Sequence, residues 1–146
     1  MKILIIEDDP IKMSNIESLI SSNFVNVDVV KCISYMGGVN EVLLNEFDLI
    51  LLDMSLPLYD DVFQTAKPKN FGGRDILKEM KRHKKKSCVK IITQYNEFDD
   101  GSISMKDLDA QLKNIYPSIY NGYIHYETKL NLWQTELIDN IKELKK

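Results

Sequence analysis

The chain is sparing in the residues that mark specialised classes of protein. Among 146 residues there are only two cysteines, Cys32 and Cys88, far apart and in no CxxC or other metal-binding spacing. Neither a disulfide framework nor a zinc site is expected, and reduced thiols are the simpler reading. No apolar run approaches membrane-spanning length. The apolar residues at the start are too few for a signal peptide and run straight into acid, so a cytoplasmic chain with no membrane contact is expected. Neither sign of charge dominates: the formal net charge is −3, which gives no general case for nucleic-acid binding. Internal repeats and low-complexity linkers are missing too. One domain over residues 1–146, long enough to enclose a core, is the expected organisation.

What the chain does have is Phe47-Asp48-Leu49-Ile50-Leu51-Leu52-Asp53-Met54-Ser55-Leu56-Pro57. Leu49 to Leu52 show no polar alternation, which predicts a strand buried on both faces, as in a parallel sheet. Pro57 stops regular structure. Asp53 is thereby placed at the carboxyl end of a central strand, where open α/β sheets carry their chemistry. A second run, Met1-Lys2-Ile3-Leu4-Ile5-Ile6-Glu7-Asp8-Asp9-Pro10, has the same form and also ends in carboxylates. Two adjacent parallel strands ending in acid gather several negative charges in one crevice. Like charges so close oppose folding unless a cation neutralises them. A hard divalent ion such as Mg²⁺ takes oxygen ligands of this kind.

The rest of the chain alternates strand and helix patterns. A strand over about 2–7 precedes a helix opened by Asp9-Pro10, with Met13, Ile16, Leu19 and Ile20 at helical spacing. A second strand is expected near 25–30, at the sheet edge, and a short helix over about 39–45. A third helix, about 74–84, ends in the basic run Lys81-Arg82-His83-Lys84-Lys85-Lys86, read as a solvated C-terminus that complements the helix dipole. Strand four ends at Thr93. Residues 96–103 partly fit a calcium loop, but Phe98 stands where an oxygen ligand is needed and Asp107 replaces the final Glu, so an acid-rich turn is the better reading. Ser104 with Asp107 resembles a capping box opening a helix through Leu108, Leu112 and Ile115. Strand five is read at 123–126. A last helix from near Thr128 carries Trp133, Leu137, Ile141 and Leu144 on one stripe. Strands alternating with helices predict an α/β parallel sheet.

Taken together these residues resemble the receiver domain of bacterial two-component response regulators. The matches are Glu7 and Asp8 after strand one, Asp53 after strand three with Pro57 following, Thr93 closing strand four, and Tyr123 as the aromatic of strand five. The resemblance implies a flavodoxin-like, CheY-like fold of five parallel strands in the order 2-1-3-4-5 with helices on both faces. It also implies that Asp53 is a phosphoacceptor, that Mg²⁺ is held by Glu7, Asp8, Asp53 and the Ser55 carbonyl, and that Thr93 contacts the phosphoryl group. The family carries a lysine three residues after the aromatic; Tyr126 stands there, and Lys129 lies three residues further on. Two insertions, at about 58–71 and 96–121, separate this chain from the family pattern. The function implied is not enzymatic: a stand-alone receiver in a phosphorelay, meeting a histidine kinase or phosphotransfer protein and signalling to a downstream protein. An alternative on the same fold is a pseudo-receiver that acts as an interaction module without phosphorylation. Without the strand-five lysine, phosphorylation is expected to be slow or absent, and Tyr126→Lys to speed it.

Overall fold

The computed structural model describes residues 1–60, 72–98 and 101–146. Strands β1 (Lys2–Ile6), β2 (Asp28–Cys32), β3 (Leu49–Leu52), β4 (Cys88–Thr93) and β7 (Tyr120–His125) form one sheet in the order β2-β1-β3-β4-β7. Every pairing in it is parallel. This is the flavodoxin-like arrangement, with β2 at one edge as its alternating pattern suggested and β7 at the other. A separate antiparallel hairpin joins β5 (Glu97–Phe98) to β6 (Ile103–Ser104). It turns through Gly101 at φ +86°, a conformation that favours glycine. Phe98, which would have had to be a calcium ligand, is buried with Tyr95 edge-on at 6.3 Å.

Among the described residues five helices cover the sheet. Helices α1 (Pro10–Asn23) and α5 (Leu132–Lys145) pack on one face, where Met13, Ile16, Ile20, Trp133, Leu137 and Ile141 meet Ile3, Ile5, Leu49, Leu51, Ile92 and Ile124. Helices α2 (Tyr35–Leu44), α3 (Gly72–Arg82) and α4 (Met105–Ile115) cover the other, against Leu4, Ile6, Ile50, Leu52, Val89 and Ile91. The unbroken apolar run of β3 is explained by this: alternate residues feed opposite cores, and all four are fully buried. Burial of each such side chain stabilises by about 1.5–3 kcal/mol. Among the described residues no helix is long and apolar enough to cross a membrane.

Several boundaries differ from the sequence reading for identifiable reasons. Helix α2 starts at Tyr35, not near Val39, because Ser34 caps it by accepting from the Gly37 N–H at 3.0 Å. Gly37 and Gly38 therefore lie inside the helix. Gly38 is needed there: a Cβ would come within 2.8 Å of Ile6 Cδ1, so its bareness lets α2 settle on β1. Helix α5 begins at Leu132, and Leu144 ends up 40% exposed, off the buried stripe. Strand β7 starts three residues earlier than expected, and Tyr126 falls just past its end. Ser104 caps α4 through the Asp107 N–H, as the capping pattern predicted. The basic run after α3 is solvated as expected, with Lys81 donating to the Ile115 carbonyl and Lys85 paired with Glu46.

Of the two expected insertions, the first lies mostly outside the described residues, which omit 61–71. Its described start is tied to α2, since Tyr35 N donates to Pro57 O and Met36 N to Leu58 O. Asp60 accepts from the buried Ser34 hydroxyl. The stretch 96–121 contains the β5–β6 hairpin and α4.

Candidate functional site

The site forms where β1 and β3 end side by side. Their register pairs Ile6 with Leu52, so the next residues, Glu7 and Asp53, leave the sheet together. The backbone fixes both: Asp53 N donates to Ile6 O at 3.0 Å, and Glu7 N to Cys32 O at 3.0 Å. Asp8 follows at the surface. One carboxylate oxygen from each of Glu7, Asp8 and Asp53 lies within 4.8 Å of the others, with Glu7 and Asp53 buried and Asp8 exposed. Asp53 is further held by Met54 N, which donates to its Oδ1 at 3.0 Å.

Helix α3 begins against the backbone of the turn that follows β3. Gly73 N donates to Met54 O at 3.2 Å, and a Cβ on Gly73 would stand 2.7 Å from the Asp53 carbonyl oxygen. Only glycine lets the helix start this near the strand end. Ser55, half-buried, follows in the turn after β3.

Thr93 ends β4. Because Leu52 pairs with Ile91, Thr93 emerges at the same edge of the sheet as Asp53. It is fully buried, and its hydroxyl accepts from Tyr95 N at 3.1 Å, which leaves the hydroxyl proton available to donate. Tyr126 N donates to Thr93 O at 2.8 Å, holding the exit of β7 against that of β4. The Tyr126 hydroxyl turns toward α1 and accepts from Asn15 Nδ2 at 2.9 Å, while its ring packs on Trp133 with centroids 4.8 Å apart. Lys129 is exposed and lines an open crevice of about 570 Å³ together with Asp9, Gln94, Asn96, His125 and Tyr126.

The structure adds a residue that the sequence reading passed over. Lys12, in the first turn of α1, is only 1% exposed. Its Nζ lies 2.5 Å from Glu7 Oε1, donates to Ile92 O at 2.8 Å, and sits 3.5 Å from Asp53 Oδ1. The Tyr126 ring centroid is 5.5 Å away. A lysine on an amphipathic helix ordinarily belongs to the solvent face. The signal that marks this one is spacing: Lys12, Ile16 and Ile20 share one helical stripe, and all three are buried. Asp9 anchors the helix, its Oδ1 accepting from Ile11 N and Lys12 N.

Burial dominates the electrostatics. It pushes Glu7 up to about 7, the Asp53 charge adding to the shift and Lys12 opposing it. Burial also raises Asp53; the Lys12 ammonium counters that, and the Asp8 charge adds to it. With Lys12 charged and all three acids ionised, the cluster keeps two negative charges, which one divalent cation matches.

A doubly wound parallel sheet with an acid triad at the carboxyl ends of its first and third strands defines a receiver domain, and the chain belongs to the response regulator receiver family. It is 31% identical over 151 residues to the Detocs response regulatory protein DtcB of Enterobacter cloacae (strain JD6301), across 99% of this chain and the whole of that protein. It is also 28% identical, over 94% of each chain, to the uncharacterized protein y4jR of Sinorhizobium fredii. Among solved structures it resembles the receiver domain of the sensor histidine kinase PA1611 from Pseudomonas aeruginosa, a structure with a magnesium ion coordinated in its active site cleft. There the TM-score is 0.65 and the identity 18%, covering 99% of this chain and 98% of that one. No family model matches the chain.

Proposed function

We propose that this chain is a phosphorelay receiver in which Asp53 accepts a phosphoryl group in a magnesium-dependent reaction and passes the signal on by protein contact. The observation that carries the reading is the convergence of Glu7, Asp8 and Asp53 within 4.8 Å at two paired strand ends. The all-oxygen donor set and its residual charge suit Mg²⁺, which Glu7, Asp8, Asp53 and the Ser55 carbonyl would hold. When bound, the ion neutralises the carboxylates and draws charge from the phosphoryl oxygens.

The protein's own groups do the rest. A carboxylate oxygen of Asp53 attacks phosphorus on the phosphohistidine of a kinase or phosphotransfer protein. The O–P bond forms, the P–N bond breaks, and the histidine nitrogen leaves with the electron pair. Met54 N fixes the orientation of the Asp53 carboxylate. Thr93, with Tyr95 N donating to it, keeps its proton and donates a hydrogen bond through it to a phosphoryl oxygen. The partners are a histidine kinase or phosphotransfer protein and a downstream protein, met in the cytoplasm. The relation to a response regulatory protein supports this reading. Residues 1–146 act as one receiver-like domain in it, with the insertions at about 58–71 and 96–121 as additions.

The test is intact mass after incubation with acetyl phosphate and Mg²⁺. One phosphate adduct in the native protein, slow to form and lost in Asp53→Asn, is expected. An adduct that survives Asp53→Asn would overturn the assignment. The pseudo-receiver reading draws on one observation: at the family's lysine position stands Tyr126, its hydroxyl already held by Asn15. No adduct with acetyl phosphate or with a cognate kinase would decide for it.

A further inference from the structure

We propose that Lys12 supplies, from helix α1, the cation that the family draws from strand five, and that its ammonium binds the phosphoryl group on Asp53. This rests on the phosphoacceptor reading above. Phosphorylation replaces one carboxylate charge on Asp53 with a dianionic group beside Glu7 and Asp8. In a buried site of that charge, a fixed cation beside the metal stabilises the added group. Four contacts place the Lys12 ammonium for it: Glu7 Oε1 at 2.5 Å, Ile92 O at 2.8 Å, Asp53 Oδ1 at 3.5 Å, and the face of Tyr126 at 5.5 Å.

An ammonium has three donors. One is donated to Ile92 O at 2.8 Å, and the ammonium is ion-paired with Glu7 Oε1 at 2.5 Å. Asp53 Oδ1 lies 3.5 Å from Nζ, too far for a good hydrogen bond and near enough for the ammonium to close on an oxygen added there. Tyr126 completes the argument. It stands at the position the family gives to lysine, yet its ring packs against the Lys12 ammonium instead of presenting charge of its own. The cation of the pocket and the residue at the family position are therefore neighbours, with the charge carried by the other element.

The step itself is ordinary phosphoryl transfer. With acetyl phosphate, an Asp53 oxygen attacks phosphorus, the P–O bond to acetate breaks, and acetate leaves with the electron pair. Lys12 donates a hydrogen bond to a phosphoryl oxygen and transfers no proton.

The experiment measures beryllofluoride affinity by calorimetry at saturating Mg²⁺, and the acetyl phosphate adduct rate, with a urea melt to confirm folding. The proteins are the native chain, Lys12→Met, Lys12→Arg and Lys12→Met/Tyr126→Lys. Loss of one charge-assisted bond should weaken beryllofluoride binding roughly ten- to hundredfold in Lys12→Met. Lys12→Arg should retain most of the affinity. The double variant, with the lysine returned to the strand-five exit, should recover most of the loss, which a purely structural role for Lys12 would not allow. Should Lys12→Met fail to fold, Lys12→Gln, which keeps a donor for Ile92 O without the charge, takes its place. Unchanged affinity in a folded Lys12 variant overturns the proposal, as does a folded double variant with no recovery. Mg²⁺ affinity that rises in Lys12→Met while beryllofluoride affinity holds would also overturn it, showing that Lys12 takes the metal's place. If the native chain and every variant bind no beryllofluoride and form no adduct, it is the phosphoacceptor reading that fails, and this inference with it.

Discussion

Two exits at the carboxyl end of the sheet follow different rules. Where β1 and β3 end, Glu7, Asp8 and Asp53 converge within 4.8 Å. Where β7 ends, Tyr126 follows, and its hydroxyl is turned to Asn15. Yet the region between them still contains a buried ammonium, delivered by α1. The difference teaches that a buried cluster of acids fixes where a positive charge must be, and leaves open which element brings it. Desolvated carboxylates are costly unless paired, whatever the chain position of the partner.

The largest effect that would break the comparison is expected at Lys12. Removing one partner of a buried ion pair costs roughly 3–5 kcal/mol, so Lys12→Met should lower urea stability by about that much at roughly pH 8. The sign with pH is specific. Burial already pushes Glu7 up to about 7 from an ordinary 4.5, with Lys12 among the groups holding it down. Without Lys12 its folded-state pKa rises further. Between the ordinary and the raised value the folded state binds more protons than the unfolded one, so stability falls as pH rises. The variant should therefore lose least near pH 5, and a loss that grows toward acid would contradict the pairing.

Next in size is the packing beneath the acid end. Gly73→Ala would press a Cβ to 2.7 Å from the Asp53 carbonyl oxygen, and overpacking of this kind costs about 1–3 kcal/mol. Gly72→Ala, where the nearest atom is the Leu56 Cβ at 3.3 Å, should cost less. Equal shifts in their urea midpoints would show that α3 does not bear on Asp53 as the structure has it.

How far the sequence revealed all this follows from the kind of signal each feature leaves. The apolar runs of β1 and β3 and the acids that end them were legible, because burial on both faces permits no polar alternation. The place of Gly37 and Gly38 was not, since glycines are ordinarily read as helix boundaries, and here one of them is dictated by Ile6 on a neighbouring strand. Lys12 was missed for a similar reason. A lysine among alternating polar residues reads as solvated until a partner from a distant strand is known, and its carbonyl acceptor, Ile92, is 80 residues away. The hairpin of β5 and β6 was read only as an acid-rich turn, because strands of two residues are too short to show a period.

Asp9 links the two exits, since it caps the helix that carries Lys12. Loss of an N-cap acid costs about 0.5–2 kcal/mol, and Asp9→Ala should lower the urea midpoint accordingly. Asp9→Asn, which keeps an accepting oxygen, should recover most of it. No difference between the two would mean that the cap does not secure this turn of α1.

The smallest effect is the most discriminating between the two exits. Tyr126→Phe deletes only a hydroxyl. If that hydroxyl donated to the phosphoryl group, as its position in the family pattern suggests, its loss would slow adduct formation. The geometry argues otherwise, because the hydroxyl accepts from Asn15 Nδ2 at 2.9 Å on the α1 side, while the ring faces Lys12 and Trp133. Phenylalanine keeps the ring and its contact with the ammonium. The variant should lose only the stability of one hydrogen bond, about 0.5–1.5 kcal/mol, with the rate of adduct formation from acetyl phosphate unchanged. Tyr126→Ala, which removes the ring as well, should cost more stability and loosen Lys12, and the rate should then fall. A tenfold slowing in Tyr126→Phe alone would return the phosphoryl contact to the β7 exit and undo the contrast between the two ends.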